Sequence, residues 1–247
     1  MGLVGIPLDI MTITIAAIAS WFVNEKNKPQ YVALPLESDS FIIVTGCAAQ
    51  LKPDFFQNMD AVNLVLGNKE KQWFISRTQS YHGATTDCMA IGERPNLDFY
   101  SALFPLKRAK ITEHNKYRHM LEGETEEEYG IRSAKELENL ILKIGPEKVC
   151  AFVGETIMGG LVGDVPPTAN YWMEIRNVCN KYNVHLILDE VWCGCGVSGK
   201  NFCIDWDNIS PDFIFLGKTF AAGYLPLSAV VTSSSIEQII KETSGRV

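Results

Sequence analysis

The chain has 247 residues, 22 Lys and Arg against 29 Asp and Glu (net charge −7), and 47% hydrophobic residues. That length holds one large domain with a core of its own, or at most two small ones, and 21% charged residues argues for a globular rather than a disordered chain. The acidic balance excludes a general nucleic-acid binder, which needs a basic face to neutralise phosphates.

In chain order, residues 10–23 carry no charge. The run is shorter than the ~20 residues that span a bilayer. No Lys or Arg precedes it, so it lacks the basic region of a secretory signal. Ile6 occupies the position where a myristoylation motif needs Ser or Thr. A buried helix is expected, giving an N-terminal helical segment over 1–40 and one main domain over 41–247, with a cytoplasmic location and no membrane or nucleic-acid partner. Apolar strands are expected at 41–44 and 73–76. The run 106–132, rich in both charge signs, reads as a solvated surface excursion. Apolar positions 137, 140, 141 and 144 predict a helix over 133–144, ended by Gly145-Pro146. A strand at 149–153, a helix over 169–182 and strands at 184–189, 213–216 and 228–232 follow. Short apolar strands alternating with helices define an α/β fold, a mostly parallel central sheet with helices on both faces.

The seven cysteines (47, 88, 150, 179, 193, 195 and 203) are odd in number and several sit in apolar runs, as buried reduced thiols do. Cys193, Cys195 and Cys203 with His185 match no common zinc spacing, so no metal is expected. His114, His119 and His185 are expected to carry no chemistry, and Trp73, Trp172, Trp192 and Trp206 to serve packing.

Ligands of such sheets gather at the carboxyl ends of the strands. Glu155 follows one strand, Asp189, Glu190 and Val191 another, Lys218 a third, and Tyr81 with His82 a fourth. A lysine in an apolar stretch can lose its charge by desolvation and act as an amine nucleophile. Its clearest use is a Schiff base with an aldehyde, of which a pyridoxal ring is the usual form. Such a ring needs an anion at its pyridine nitrogen and flat packing on its faces.

The ordered set Phe74-Ile-Ser-Arg-Thr-Gln-Ser-Tyr-His-Gly-Ala-Thr85, Ala151-Phe-Val-Gly-Glu155, Gly159-Gly160, Val165-Pro-Pro167, His185-Leu-Ile-Leu-Asp-Glu-Val191, Pro211-Asp-Phe-Ile-Phe-Leu-Gly-Lys218 and Gly223-Tyr-Leu-Pro-Leu-Ser-Ala-Val230 resembles the class III (omega-type) pyridoxal-phosphate-dependent aminotransferases, over roughly residues 70–240. The resemblance implies the large domain of the aspartate-aminotransferase-like fold. It implies pyridoxal 5′-phosphate as cofactor and transfer of an amino group between an amine or amino acid and a 2-oxo acid. Lys218 is then the Schiff-base lysine and proton shuttle, and Asp189 the partner of the pyridinium. Tyr81 would stack on one ring face with His82 beside it, Val191 would press on the other, and Glu155 would lie near the ring-oxygen side. A homodimer is implied as well.

The chain departs from the family pattern at three places. Glu155 is followed by Thr156 rather than Pro. The family's Gly-Ser-acid-Ala phosphate turn is replaced either by Gly46-Cys-Ala-Ala49 or by Asn58-Met-Asp-Ala61. The sequence also stops at Val247, before the family's small C-terminal domain, so a large-domain fragment or a shortened member is expected. Racemase, aminomutase or decarboxylase chemistry on the same cofactor, and an inactive scaffold, are the alternative functions.

Overall fold

A computed structural model of the chain describes residues 40–43, 71–95, 106–224 and 227–244, with the side chains of 40–43 and 240–244 left aside. The predicted N-terminal helix at 10–23, both candidate phosphate turns and Cys47 lie outside the described residues. Among the described residues seven strands form one sheet: β1 (Ser40–Ile43), β2 (Trp73–Arg77), β3 (Lys107–Ile111), β4 (Val149–Glu155), β5 (His185–Asp189), β6 (Phe213–Leu216) and β7 (Ala229–Ser233). Their order across the sheet is β1-β7-β6-β5-β4-β2-β3. Strand β7 runs antiparallel to both of its neighbours and every other pairing is parallel. The fold class read from the sequence is the one observed. Strand bounds agree with the predicted ones to within two residues, because each strand is a short apolar run closed by polar or turn residues.

Parallel sheets are covered on both faces, and side chains of alternate residues serve opposite faces. Ile75, Phe152, Leu186, Leu188, Ile214 and Leu216 join one core, and Val153, Ile187 and Phe213 join the other. The first core is closed by Ala134, Leu137 and Ile141 of α3 (Glu126–Ile144) and by Trp172, Ile175 and Cys179 of α4 (Tyr171–Tyr182). The second is closed by Ile91 of α1 (Thr86–Ile91) and Ile236 of α5 (Ser234–Ser244). A four-residue helix, α2 (Lys116–His119), sits between β3 and α3. All seven residues of β4 are buried, as an interior strand covered on both faces must be.

The charged run is more ordered than its composition suggests. Residues 107–111 form the edge strand β3, and α3 begins at Glu126, seven residues before the predicted start. A capping box explains the earlier start: Glu128 N donates to Thr125 Oγ1 at 3.2 Å, and Thr125 N donates to Glu128 Oε2 at 2.8 Å. Glu126, Glu127 and Glu128 also complement the positive end of the helix dipole. Tyr129 and Gly130 are buried. Gly130 is required by close approach, since a Cβ there would lie 2.2 Å from Asn170 Oδ1.

The tryptophans divide. Trp172 is fully buried and donates from Nε1 to the Thr156 carbonyl at 3.0 Å. Trp206, expected in packing, is 63% exposed; its indole N–H bonds Ser198 O and its ring carries the Lys200 ammonium at 4.8 Å. The six described cysteines are free, and burial pushes the Cys150 and Cys179 thiols up to about 12. Among the described residues no helix is long and apolar enough to cross a membrane, and no group of three His, Cys, Asp or Glu side chains could hold a metal. Losing the α3 cap by Thr125→Ala is expected to cost about 1 kcal/mol, read as a lower urea midpoint with an unchanged denaturant slope.

Candidate active site

The parallel register brings the carboxyl ends of β2, β4, β5 and β6 to one edge. Glu155 and Asp189 end β4 and β5 and are direct cross-strand partners. Both are buried, at 5% and 4% exposure. Two carboxyl groups side by side out of water need compensation, because their charges repel and each is poorly solvated.

For Asp189 the compensation is hydrogen bonding. Its Oδ1 accepts the Val191 N–H at 3.0 Å, and its Oδ2 lies 2.8 Å from His82 Nδ1. The His82 side chain is 2% exposed, and its Nε2 is buried with no partner. For Glu155 the compensation is incomplete. Oε1 accepts the Gly159 N–H at 3.2 Å, while Oε2 is buried and unpaired. Burial raises the Glu155 carboxyl above the usual carboxylate range and the Asp189 charge adds to this, whereas Arg77 and His82 act in the opposite direction.

Arg77, the last residue of β2, was not singled out by the sequence. It is 1% exposed, donates to the Glu155 carbonyl, and lies 5.3 Å from the Trp172 ring and 5.9 Å from the Tyr171 ring. An arginine tolerates such a place because its guanidinium is weakly hydrated and stacks on aromatic faces. The available signal was a lone basic residue closing an apolar strand one turn before Tyr81.

Tyr81 is half-buried, and the Arg94 guanidinium lies 3.6 Å from its ring centroid. Val191 is half-buried and packs on Gly217, where a Cβ would come within 3.1 Å of Val191 Cγ1. That contact links the residue after the Asp189 pair to the backbone of the lysine. Lys218 opens a 3₁₀ turn, Lys218–Ala221, at the carboxyl end of β6. Its φ of 45° is in the left-handed region, a strained setting for a lysine of the kind that gathers at functional sites. Lys218 is exposed, so its apolar sequence neighbours do not bury it, contrary to the desolvated setting expected. Among the described residues no hydrogen bond or ion pair joins it to Asp189, His82 or Glu155. The structure therefore unites His82, Asp189 and Glu155 in one group and Val191 with Gly217-Lys218 in another, with Tyr81 beside the first.

Glu190, grouped with Asp189 at the sequence level, has a structural task. It accepts from Thr156 Oγ1 at 3.0 Å and from the backbone N–H groups of Cys203 and Ile204 at 2.7 and 2.8 Å, pinning the 191–204 loop. The Glu155-Thr156 departure supplies that hydroxyl. His114 is a core residue: it is wedged between Tyr129 and Tyr171 (4.5 and 4.1 Å), accepts from Thr168 N at 3.1 Å, and is driven down to about 3, mainly by burial.

Two further side chains fix the loop that carries Tyr81 and His82. Lys110 of β3 donates to Ser76 Oγ at 2.8 Å, Gly92 O at 3.0 Å and Ile91 O. Three acceptors match the three ammonium donors, and Gly92-Glu93 in turn holds Ser80 O through Glu93 N at 2.7 Å. Glu113 accepts from Thr78 Oγ1 and from Gln79 Nε2 (2.8 Å), and lies 2.9 Å from His119 Nε2. The sequence offered no signal for these roles, since both residues sit in the charged run.

The class III aminotransferase model matches residues 54–245. The chain belongs to the class III aminotransferases. Among curated relatives it is 40% identical over 185 residues to gamma aminobutyrate transaminase 2 of Solanum lycopersicum, covering 75% of this chain and 40% of that one. It is 38% identical over 188 residues to the diaminobutyrate–2-oxoglutarate transaminase of Halomonas elongata, covering 74% and 39%. Among solved structures, the omega transaminase from Pseudomonas jessenii in complex with PMP superposes with a TM-score of 0.72 at 33% identity, over 83% of this chain and 45% of that one. The chain thus spans about 40% of the length of these curated relatives.

Lys110 yields a pH prediction. Burial lowers it from 10.5 to about 8, with Glu93 opposing and Arg108 adding to the fall. Between pH 8 and 10.5 the unfolded chain then binds the proton that the fold releases, so this group's contribution to stability rises with pH across that window. A gain of roughly 3 kcal/mol at most is expected from the shift, and Lys110→Met should flatten the slope, measured by urea unfolding at pH 7.5, 9 and 10.5.

Proposed function

We propose that this chain is the cofactor-binding large domain of an aminotransferase that moves an amino group between an amine or amino acid and a 2-oxo acid, using pyridoxal 5′-phosphate. The observation that carries this reading is the buried Asp189 carboxylate at the end of β5, fixed by His82 and Val191 N, one strand from Lys218 at the end of β6.

The residues present fit such a group. Glu155 Oε2 and His82 Nε2 are buried and unpaired at the same edge, and Asp189 has acceptor capacity left on both oxygens. The bound cofactor supplies an electron sink for the carbon that gains or loses the amino group. Lys218 Nζ would hold it covalently and afterwards carry the proton between the substrate carbon and the cofactor's former aldehyde carbon. Asp189 would accept the pyridinium N–H and keep that proton in place. Tyr81 would cover one face of the ring, and Val191, already seated on Gly217, the other. Exposure suits Lys218 for this work, because a substrate amine must reach it and displace it. Glu155 contributes a carboxyl beside the pair.

The substrates in this reading are small molecules, an amino donor and a 2-oxo acid. Assembly as a homodimer belongs to the same reading and rests on the family. A reducing compartment such as the cytoplasm suits the free, largely buried cysteines.

The test is covalent capture. Purified chain incubated with pyridoxal phosphate, reduced with borohydride and dialysed is expected to keep the cofactor's absorbance, and Lys218→Ala to lose it. Equal retention by both would overturn the lysine assignment. Asp189→Asn should retain the cofactor yet slow its bleaching by an amino donor about 10²–10³-fold, the scale of a lost electrostatic partner of a reacting group. Capture without any bleaching in the wild-type chain would favour a scaffold over an enzyme.

A further inference from the structure

Thr156 is the first residue beyond β4, where the chain departs from the Glu-Pro of the family pattern. It is buried at the same edge as Glu155 and Asp189. Two neighbours fix it. Its carbonyl accepts from Trp172 Nε1 of α4 at 3.0 Å, and the Glu155 carbonyl before it accepts from Arg77 of β2. Its other polar groups both reach across to β5 and the residue that follows. Thr156 N donates to Asp189 O at 3.3 Å, and Thr156 Oγ1 donates to Glu190 Oε1 at 3.0 Å. A proline could form neither bond, having no N–H and no hydroxyl.

The receiving end is a single peptide unit. Its carbonyl, Asp189 O, is held from the β4 side by Thr156 N, and its amide, Glu190 N, donates to Phe215 O on the β6 side at 2.9 Å. The plane that follows Asp189 therefore turns only when one of these bonds opens. The Glu190 carboxyl secures it further, accepting from Cys203 N and Ile204 N at 2.7 and 2.8 Å besides the Thr156 hydroxyl. Burial pushes that carboxyl above the usual range and all three donors work against this, so each lost donor leaves a buried carboxyl less satisfied. The Asp189 carboxylate meets Val191 N at 3.0 Å and His82 Nδ1 at 2.8 Å. Its aim thus depends on where its own backbone is held.

We propose that Thr156 is a positioning residue for Asp189: gripping Asp189 O with its N–H and Glu190 with its hydroxyl, it fixes the strand end from which the Asp189 carboxylate meets His82. Arg77 and Trp172 make the grip rigid, because they hold the Glu155 and Thr156 carbonyls on either side of the donating N–H. The purpose, a carboxylate aimed at a pyridinium, rests on the function proposed above, but the grip itself is a property of the cofactor-free chain.

The experiment is proton exchange, followed by NMR, in the cofactor-free chain labelled with ¹⁵N-histidine. Four histidines are present, and His82→Asn assigns the His82 signals. His114 is the internal control. Its Nε2 accepts from Thr168 N and its Nδ1 lies 3.1 Å from Ser133 Oγ, so it too keeps a buried Nδ1 proton, away from Asp189. Thr156→Val keeps the N–H and the volume and loses the hydroxyl. It should speed exchange of the His82 Nδ1 proton about ten- to a hundredfold, the scale of one hydrogen bond to a charged group, and leave His114 unchanged. Thr156→Ser should keep the wild-type rate. Equal acceleration of both histidines, the mark of a merely structural role, or of neither, would overturn the proposal. Should Thr156→Val fail to fold, the wild type decides: the backbone amides of Thr156 and Val191 should open with one free energy, and two separate values would refute the grip. Failure of borohydride capture at Lys218 leaves this result readable, so the two readings fail independently.

Discussion

Two carboxyl groups buried side by side at the ends of adjacent parallel strands set the terms for the rest of this edge. The β4–β5 register places Glu155 opposite Asp189, and burial on both faces of the sheet denies them water. Neither charge can be left alone in such a place. The chain answers with Arg77 under Glu155, His82 against Asp189 and backbone N–H groups to each. The answer is asymmetric. Asp189 has both oxygens engaged, whereas Glu155 keeps one oxygen unpaired, so burial lifts the carboxyl that has the poorer set of donors.

That asymmetry depends on loops held in fixed positions, and each loop has its own polar anchor. The loop after β2 is tied by Lys110 through Ser76 and the end of α1, and by Glu113 through Thr78 and Gln79. The loop after β5 is tied by Glu190 to Cys203 and Ile204. Each anchor is a charged side chain meeting several donors or acceptors, the case in which burying charge is tolerated. A histidine 2.8 Å from a carboxylate across 107 residues of sequence requires that both segments be immobilised independently of each other.

How much was legible follows from the range of each signal. Strand bounds at β4, β5 and β6 were readable because parallel core strands are short apolar runs, a local property. The pairing of His82 with Asp189 was only half visible. Both residues were placed at the sheet edge, but which atom meets which depends on register and loop path. Arg77, Lys110 and Glu113 were missed because a buried charge and a solvated one look alike in sequence, and their partners are up to 78 residues away. The 106–132 run was read by its charge density, which conceals an edge strand whose lysine bends back onto carbonyls, and a capping box whose Thr-x-x-Glu signature was present at 125–128. Lys218 shows the opposite error. Its apolar neighbours suggested burial, yet only Leu216 and Phe220 pack on the core, while the lysine, in a left-handed turn, is exposed.

Exposure of Lys218 and burial of Asp189 are two sides of one division of labour. A group that must form and release a bond to a ligand needs access, and a group that holds a fixed charge needs shelter from water, where its interactions are stronger. The fold places them on neighbouring strands, Asp189 opposite Phe215 and Lys218 three residues beyond it. Asp189 closes a strand whose last four residues are buried, and Lys218 begins a turn that leaves the sheet. The Val191–Gly217 contact keeps the two segments in register, and a Cβ at 217 would press Val191 back by a few tenths of an ångström. The strain stored at Lys218 is thus held by packing on its N-terminal side, which is how an exposed reactive group can keep a defined position.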